Sequence, residues 1–218
     1  MSSSRAVDYD ALEATTAIED ITDDAENQEV LRLLRDDDGG LSGLYICEDA
    51  YGNNLGDYRP CKSEELGWLG HFAKKSTHLE EFALEGGDAF NNCSEQSIDQ
   101  FFEDLGKCNQ IRKLYLVWRN DLTEIMHKLD PAIKNNNITH WSSDGCYLGD
   151  TEANHIFNTF RDMKGLEELS IKCDDEDEHD LNDGVMAGCL PSLAACTGLR
   201  KLELITLDLS TSSCAALS

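Results

Sequence analysis

The sequence has little positive charge and no long apolar run. It contains 43 acidic residues and only 18 basic ones, which gives a formal net charge of −25. A field of that sign repels nucleic-acid phosphates and anionic lipid surfaces, so we expect neither nucleic acid nor membrane as a partner. No stretch approaches the ~20 apolar residues that cross a bilayer, and residues 1–10 lack the apolar core of a signal peptide.

The nine cysteines show no C-x-x-C pair, and their number is odd. This usage is typical of buried free thiols in a reducing compartment, and a secreted disulfide scaffold is the alternative. We therefore expect an intracellular protein, in the cytoplasm, with the nucleus left open. A basic protein is the partner that the net charge favours, although charge of this kind also serves solubility alone.

The sequence also lacks the short motifs of several enzyme classes. It contains no G-x-S-x-G, no G-x-x-x-x-G-K-[ST] and no G-x-G-x-x-G, and its six histidines form no H-x-x-x-H pair. Cys146 and His140 are close enough in sequence to suggest a thiol–imidazole pair. The register of the sequence repeats, however, places Cys146 at an inward position and His140 at an outward one. We expect a protein that is not an enzyme, with no cofactor and no metal.

A leucine-rich pattern recurs along the chain. Residues 199–209 carry apolar side chains at positions 1, 4, 6, 9 and 11, and residues 138–148 repeat this with Trp141 and Cys146 at two of the places. The first half of the pattern recurs from Leu41, Leu79, Ile111 and Leu166. The six starts are separated by 38, 32, 27, 28 and 33 residues, and the segments between them have helical spacing.

On these residues the chain resembles the leucine-rich-repeat superfamily, of the ribonuclease-inhibitor-like type with long repeats. The resemblance covers residues 41–218. It implies an α/β solenoid of about six repeats, the last one incomplete, in which a curved parallel sheet lines the concave face and helices form the convex face. Because no repeat can bury its apolar side alone, the uncapped C-terminal end predicts self-association.

The segment before the repeats divides in two. Residues 1–40 hold twelve acidic and three basic residues, and over 1–28 this composition predicts disorder. Residues 29–40 include Val30, Leu31 and Leu34, which favour a helix that caps the first strand. Within the array, residues 53–64 and the acidic run 174–180 are expected to be inserted loops; calcium binding by the acidic run is disfavoured by its spacing.

The resemblance places the third, fifth and seventh residues of each pattern on the concave surface. Its mixture of charges with tyrosine suits protein recognition. The predicted protein-binding residues are Tyr45, Glu81, Glu85, Lys113, Tyr115, His140, Ser142, Glu168, Lys172, Lys201 and Glu203. The expected function is a non-catalytic protein-binding scaffold. The alternatives are the substrate-recognition part of a ubiquitin ligase and an enzyme regulator such as a GTPase-activating protein.

Overall fold

The computed structural model describes residues 7–48, 54–118, 122–146, 150–172 and 183–205. Cys173, Cys214, Leu207, Leu209 and the acidic run 174–180 lie outside these ranges. The helices are α1 (Tyr9–Glu13), α2 (Ile18–Ile21), α3 (Ala25–Arg35), α4 (Ser63–Ala73), α5 (Glu95–Leu105), α6 (Leu122–Asn135), α7 (Asp150–Asp162) and α8 (Asp183–Ala194). The strands are β1 (Gly43–Cys47), β2 (Asp57–Tyr58), β3 (Glu81–Glu85), β4 (Lys113–Val117), β5 (His140–Asp144), β6 (Glu168–Lys172) and β7 (Lys201–Ile205).

The seven strands form one parallel sheet in the order β2-β1-β3-β4-β5-β6-β7. Apart from β2, every strand begins two residues after one of the six predicted repeat starts. Neighbouring strands from β1 to β7 pair without a register shift. The class predicted from sequence, α/β with a parallel sheet, is confirmed.

Strand alternation gives the sheet two different faces. One face meets the helices and carries the core: Leu44, Phe82, Leu114, Trp141 and Leu169 follow one another across the sheet, each no more than 1 % exposed. Phe101 of α5 and Phe160 of α7 pack on this row, with ring centroids 6.1 Å from Phe82 and 5.2 Å from Trp141, respectively. The helices therefore cover one face, and the other face stays open.

A periodic backbone ladder precedes the strands. The carbonyl oxygen of Ser42 accepts hydrogen bonds from the N–H groups of Glu80 and Glu81, at 2.8 and 2.9 Å. The carbonyl of Glu80 accepts from Arg112 and Lys113 in the same way. The pattern continues through the carbonyls of Arg112, Thr139 and Glu167. Each acceptor is the second residue of a predicted repeat, so the corresponding positions make the same contact.

The N-terminal segment differs from the expectation. Disorder was predicted over residues 1–28, but residues 9–13, 18–21 and the start of α3 are helical, and Ile18 and Ile21 are only 2 % and 1 % exposed. These two side chains are part of the core because their helix, α2, contacts α3 and α4. Composition alone does not reveal such contacts. The prediction of disorder is wrong for the described part of this segment.

The predicted capping helix is α3, and it begins four residues earlier than expected. Its residues Val30, Leu31 and Leu34 are buried. It packs on β2 and α4, and β2, which lies in the predicted loop 53–64, pairs with β1. The first strand is therefore flanked by an additional strand, and the helix covers that strand.

Three further observations complete the fold. Cys47, Cys61, Cys93, Cys108 and Cys196 are free thiols, as their sequence spacing indicated. None of the helices in the described ranges has the length and apolar character needed to span a membrane. Leu202 and Leu204 of β7 are partly buried rather than fully buried.

Candidate protein-binding face

The open face consists of the side chains that strand alternation turns away from the helices. They form three rows across the sheet. The first row is Glu81, Lys113, His140, Glu168 and Lys201; the second is Tyr45, Ala83, Tyr115, Ser142, Ser170 and Glu203; the third is Cys47, Glu85, Val117, Asp144, Lys172 and Ile205. All eleven residues predicted to bind protein lie in these rows. The structure therefore brings them together on one surface.

Charged side chains in the outer rows pair across neighbouring strands. Lys113 Nζ lies 2.5 Å from Glu81 Oε1, and Lys172 Nζ lies 3.0 Å from Asp144 Oδ1. His140 Nε2 lies 3.3 Å from Glu168 Oε1. Pairs this exposed contribute only about 0–1 kcal/mol to stability. Their substitution should therefore leave the fold intact, which makes this face accessible to mutagenesis.

Two tyrosines lie in the second row. The Tyr45 hydroxyl donates a hydrogen bond to Glu81 Oε2 at 3.3 Å. Burial raises the pKa of both Tyr45 and Tyr115, and the negative charge of Glu81 raises it further. Both phenols therefore stay protonated at neutral pH, so that each presents an aromatic ring with a hydroxyl donor.

A cavity of about 190 Å³ opens beside Tyr115. Ser142 and Ser170 continue the row of Tyr115 with short side chains, and Glu168 and Glu203 contribute carboxylates. Ser170 Oγ donates to Glu203 Oε2 at 3.3 Å. The full lining is Tyr115, His140, Trp141, Ser142, Glu168, Leu169, Ser170, Lys201 and Glu203. Six of these are predicted binding residues; Ser170 was not among them, although the same alternation identifies it.

The remaining predicted residues lie outside the cavity. Tyr45 and Glu81 lie on β1 and β3, Lys113 precedes Tyr115 by two residues on β4, and Lys172 lies in the third row. Glu85 is also in the third row, where burial and the negative charge of Asp57 raise the pKa of its carboxyl group. The predicted set is thus a broad surface, and the cavity lies off its centre, toward β6 and β7.

A second cluster of ionisable groups, which the sequence did not indicate, joins α1 to α4. His71 is fully buried, and its Nε2 lies 2.8 Å from Glu13 Oε2. Lys75 Nζ lies 2.6 Å from Glu13 Oε2, 3.0 Å from Asp10 Oδ1 and 3.0 Å from His71 Nε2. Hydrogen bonds from Lys75 and then from His71 lower the pKa of Glu13.

Asp10, Glu13 and His71 have the donor set of a metal site, since their ligand atoms lie within 4.8 Å of one another. The ammonium group of Lys75 is within 3.0 Å of all three. The chain itself supplies the cation at this position. The arrangement is that of an ion-pair network which attaches α1 to α4.

No family model matches the sequence, and no curated protein matches it. Among solved structures, the chain is similar to the C-terminal domain of tropomodulin from Caenorhabditis elegans, at 14 % identity and a TM-score of 0.41 over 88 % of each chain.

Proposed function

We propose that this chain is a leucine-rich-repeat solenoid of six repeats that binds another protein on the open face of its sheet, without catalysing a reaction. The repeat assignment is supported by the ladder in which each second-position carbonyl accepts two N–H groups from the next repeat. It is also supported by the uniform two-residue offset between repeat start and strand start. In a solenoid of this kind the open face is the concave surface.

The observation that carries the binding proposal is the composition of the open face. A half-buried aromatic side chain, Tyr115, lies on a central strand and is flanked by charged side chains that are already paired across the strands. Protein interfaces combine aromatic anchors with a polar rim in this way. Because the charged side chains of the open face are already paired with one another, binding of a partner desolvates few unpaired charges.

The partner that fits best is a protein with a basic surface. The chain carries a net charge of −25, so a basic partner approaches in a favourable field. Long-range attraction of this kind raises the association rate and weakens as salt is added.

Site-specific photo-crosslinking tests the proposal. A photoreactive amino acid replaces Lys172, an exposed open-face residue outside the cavity beside Tyr115, or Glu103, an exposed residue of α5 on the helix side. We expect one crosslinked partner from position 172 that is missing from position 103. Crosslinks from position 103 alone, or the same products from both positions, would place the binding surface elsewhere.

The acidic N-terminal segment is the competing location for a partner, and substitution is a better test of it than truncation. Deleting residues 1–28 would remove Ile18 and Ile21 from the core and confuse loss of folding with loss of binding. Asp20 and Asp23 are exposed, so Asp20→Asn with Asp23→Asn removes charge there without opening the core. We expect this double variant to reduce the association rate modestly and to keep the Lys172 crosslink.

A further inference from the structure

We infer that the cavity beside Tyr115 receives a single arginine side chain of the partner protein. This inference rests on the proposed function, because it specifies which chemistry the open face recognises. It stands on the size of the cavity, the charges in its lining and the aromatic ring at its edge.

The size of the cavity points to one side chain. Its volume of about 190 Å³ is smaller than the roughly 300–1,000 Å³ of pockets that enclose cofactors or metabolites. Large side chains of neighbouring strands would close it, but Ser142 and Ser170 are small, and they follow Tyr115 in the same row. A recess of this size at a protein interface is suited to one long side chain of the partner.

The charged groups in the lining favour a cation. Glu168 and Glu203 bring two carboxylates to the cavity from adjacent strands, and the lining also contains Lys201 and His140, whose Nε2 lies 3.3 Å from Glu168 Oε1. Lys201 Nζ lies 3.2 Å from Glu203 Oε1, and its side chain is 54 % exposed, so it can turn into solvent when another cation arrives. Since the net charge of the chain is −25, a cationic side chain is also attracted at long range.

Arginine fits the geometry better than lysine. The planar guanidinium group has five N–H donors and pairs with carboxylates in a fixed fork, whereas an ammonium group acts as a point charge. Ser142 and Ser170 add to the lining hydroxyl oxygens that can accept hydrogen bonds from the guanidinium group. The ring of Tyr115 provides a surface on which a guanidinium group stacks.

The test uses small probes and requires no identified partner. The ¹⁵N-labelled chain is titrated with N-acetyl-arginine N-methylamide and with the neutral isostere N-acetyl-citrulline N-methylamide. We expect saturable shifts of the Ser142 and Ser170 amides with the arginine probe, with a dissociation constant on the order of millimolar. Because charge-assisted hydrogen bonds are lost, we expect the citrulline probe to bind about tenfold more weakly.

Substitutions in the cavity lining test whether the arginine probe binds there. Glu168→Gln combined with Glu203→Gln should weaken arginine binding about tenfold or more, since both charges in the lining are removed. Glu85→Gln is the matched control, because it removes an open-face carboxylate outside the cavity and should leave the affinity unchanged. Lys201→Ala should tighten binding, because it removes the internal competitor for Glu203.

Three results would overturn the inference: equal binding of the two probes, an equal loss of affinity in Glu85→Gln, or no saturable shift up to on the order of tens of millimolar probe. None of them bears on the proposed function, which the Lys172 crosslink measures independently. A crosslink from Lys172 together with failed probe binding would leave a protein-binding face that does not recognise arginine. Loss of the crosslink with intact probe binding would overturn the proposed function and the assignment of the arginine to a partner protein, and would leave a cavity that binds arginine.

Discussion

The side-chain amide of Asn27 forms two hydrogen bonds with the backbone of Arg59. Asn27 Nδ2 donates to the carbonyl of Arg59 at 2.8 Å, and the N–H of Arg59 donates to Asn27 Oδ1 at 3.0 Å. Asn27 is only 2 % exposed and lies on α3, while Arg59 directly follows the edge strand β2. One side chain thus joins the capping helix to the edge of the sheet.

Asn27→Ala should lower the free energy of unfolding by about 1–3 kcal/mol, because it removes two partly buried hydrogen bonds to the backbone of Arg59. Chemical denaturation measures the loss. Glu29→Ala, at an exposed position of the same helix, is the control and should change stability by less than about 0.5 kcal/mol. Equal effects of the two substitutions would show that the pairing with Arg59 contributes nothing.

Gly67→Ala should detach α1 without unfolding the chain. A β-carbon at Gly67 would lie 1.9 Å from Tyr9 Oη, and Tyr9 packs edge-on against Trp68 with centroids 4.9 Å apart. Tyr9 can move away because its hydroxyl is the end of a flexible side chain on a five-residue helix. Hydrogen exchange should quicken in residues 8–13 and stay unchanged in α5; unchanged exchange in both would contradict the docking of α1.

Docking of α1 should weaken in acid. The pKa of Glu13 is lowered from its ordinary 4.5 by hydrogen bonds from Lys75 and His71, so the docked state favours the ionised carboxylate. The resulting stabilisation is complete above pH 4.5 and is lost as the pH falls through the lowered pKa. Amide shifts of Ala11 and Leu12 should follow this transition. Glu13→Gln should abolish it, whereas a transition that persists in Glu13→Gln would assign it to another group.

Ser143→Ala should stabilise the chain. Ser143 is 1 % exposed, its hydroxyl has no hydrogen-bond partner among the described residues, and it occupies a row in which the neighbouring strands carry Leu116 and Ile171. Removing a buried, unpaired hydroxyl should raise the free energy of unfolding by about 1 kcal/mol. Ser142→Ala, on the same strand but on the open face, should be nearly neutral. A loss of stability in Ser143→Ala would indicate that this hydroxyl has a bonding partner.

The sequence predicted β1 and the strands from β3 to β7. Leucine spacing and strand alternation can be recognised within a few residues of sequence. It missed β2, since a two-residue strand beside Gly56 and Pro60 looks like a loop. It also missed α1 and α2, whose four or five residues are too short for a helical period. Whether these segments fold depends on contacts with residues distant in sequence, such as the contact of Glu13 with His71.

The candidate site, like the fold, was only partly predictable from the sequence. Alternation alone identified which side chains share the open face, including Tyr115, His140 and Glu168. The recess beside Tyr115 could not be foreseen, because it depends on which small residues become neighbours in the sheet. In-register pairing of Tyr115 with Ser142, and of Ser142 with Ser170, determines this.

The affinity of Tyr115→Ala for the crosslinked partner tests the central claim most directly. A central aromatic anchor typically contributes about 2 kcal/mol or more, so the dissociation constant should rise about 30-fold relative to wild type. Glu103→Ala, on the helix side, should bind like the wild type. If Tyr115→Ala binds with unchanged affinity while Glu103→Ala or added salt abolishes binding, the open face is not the binding site.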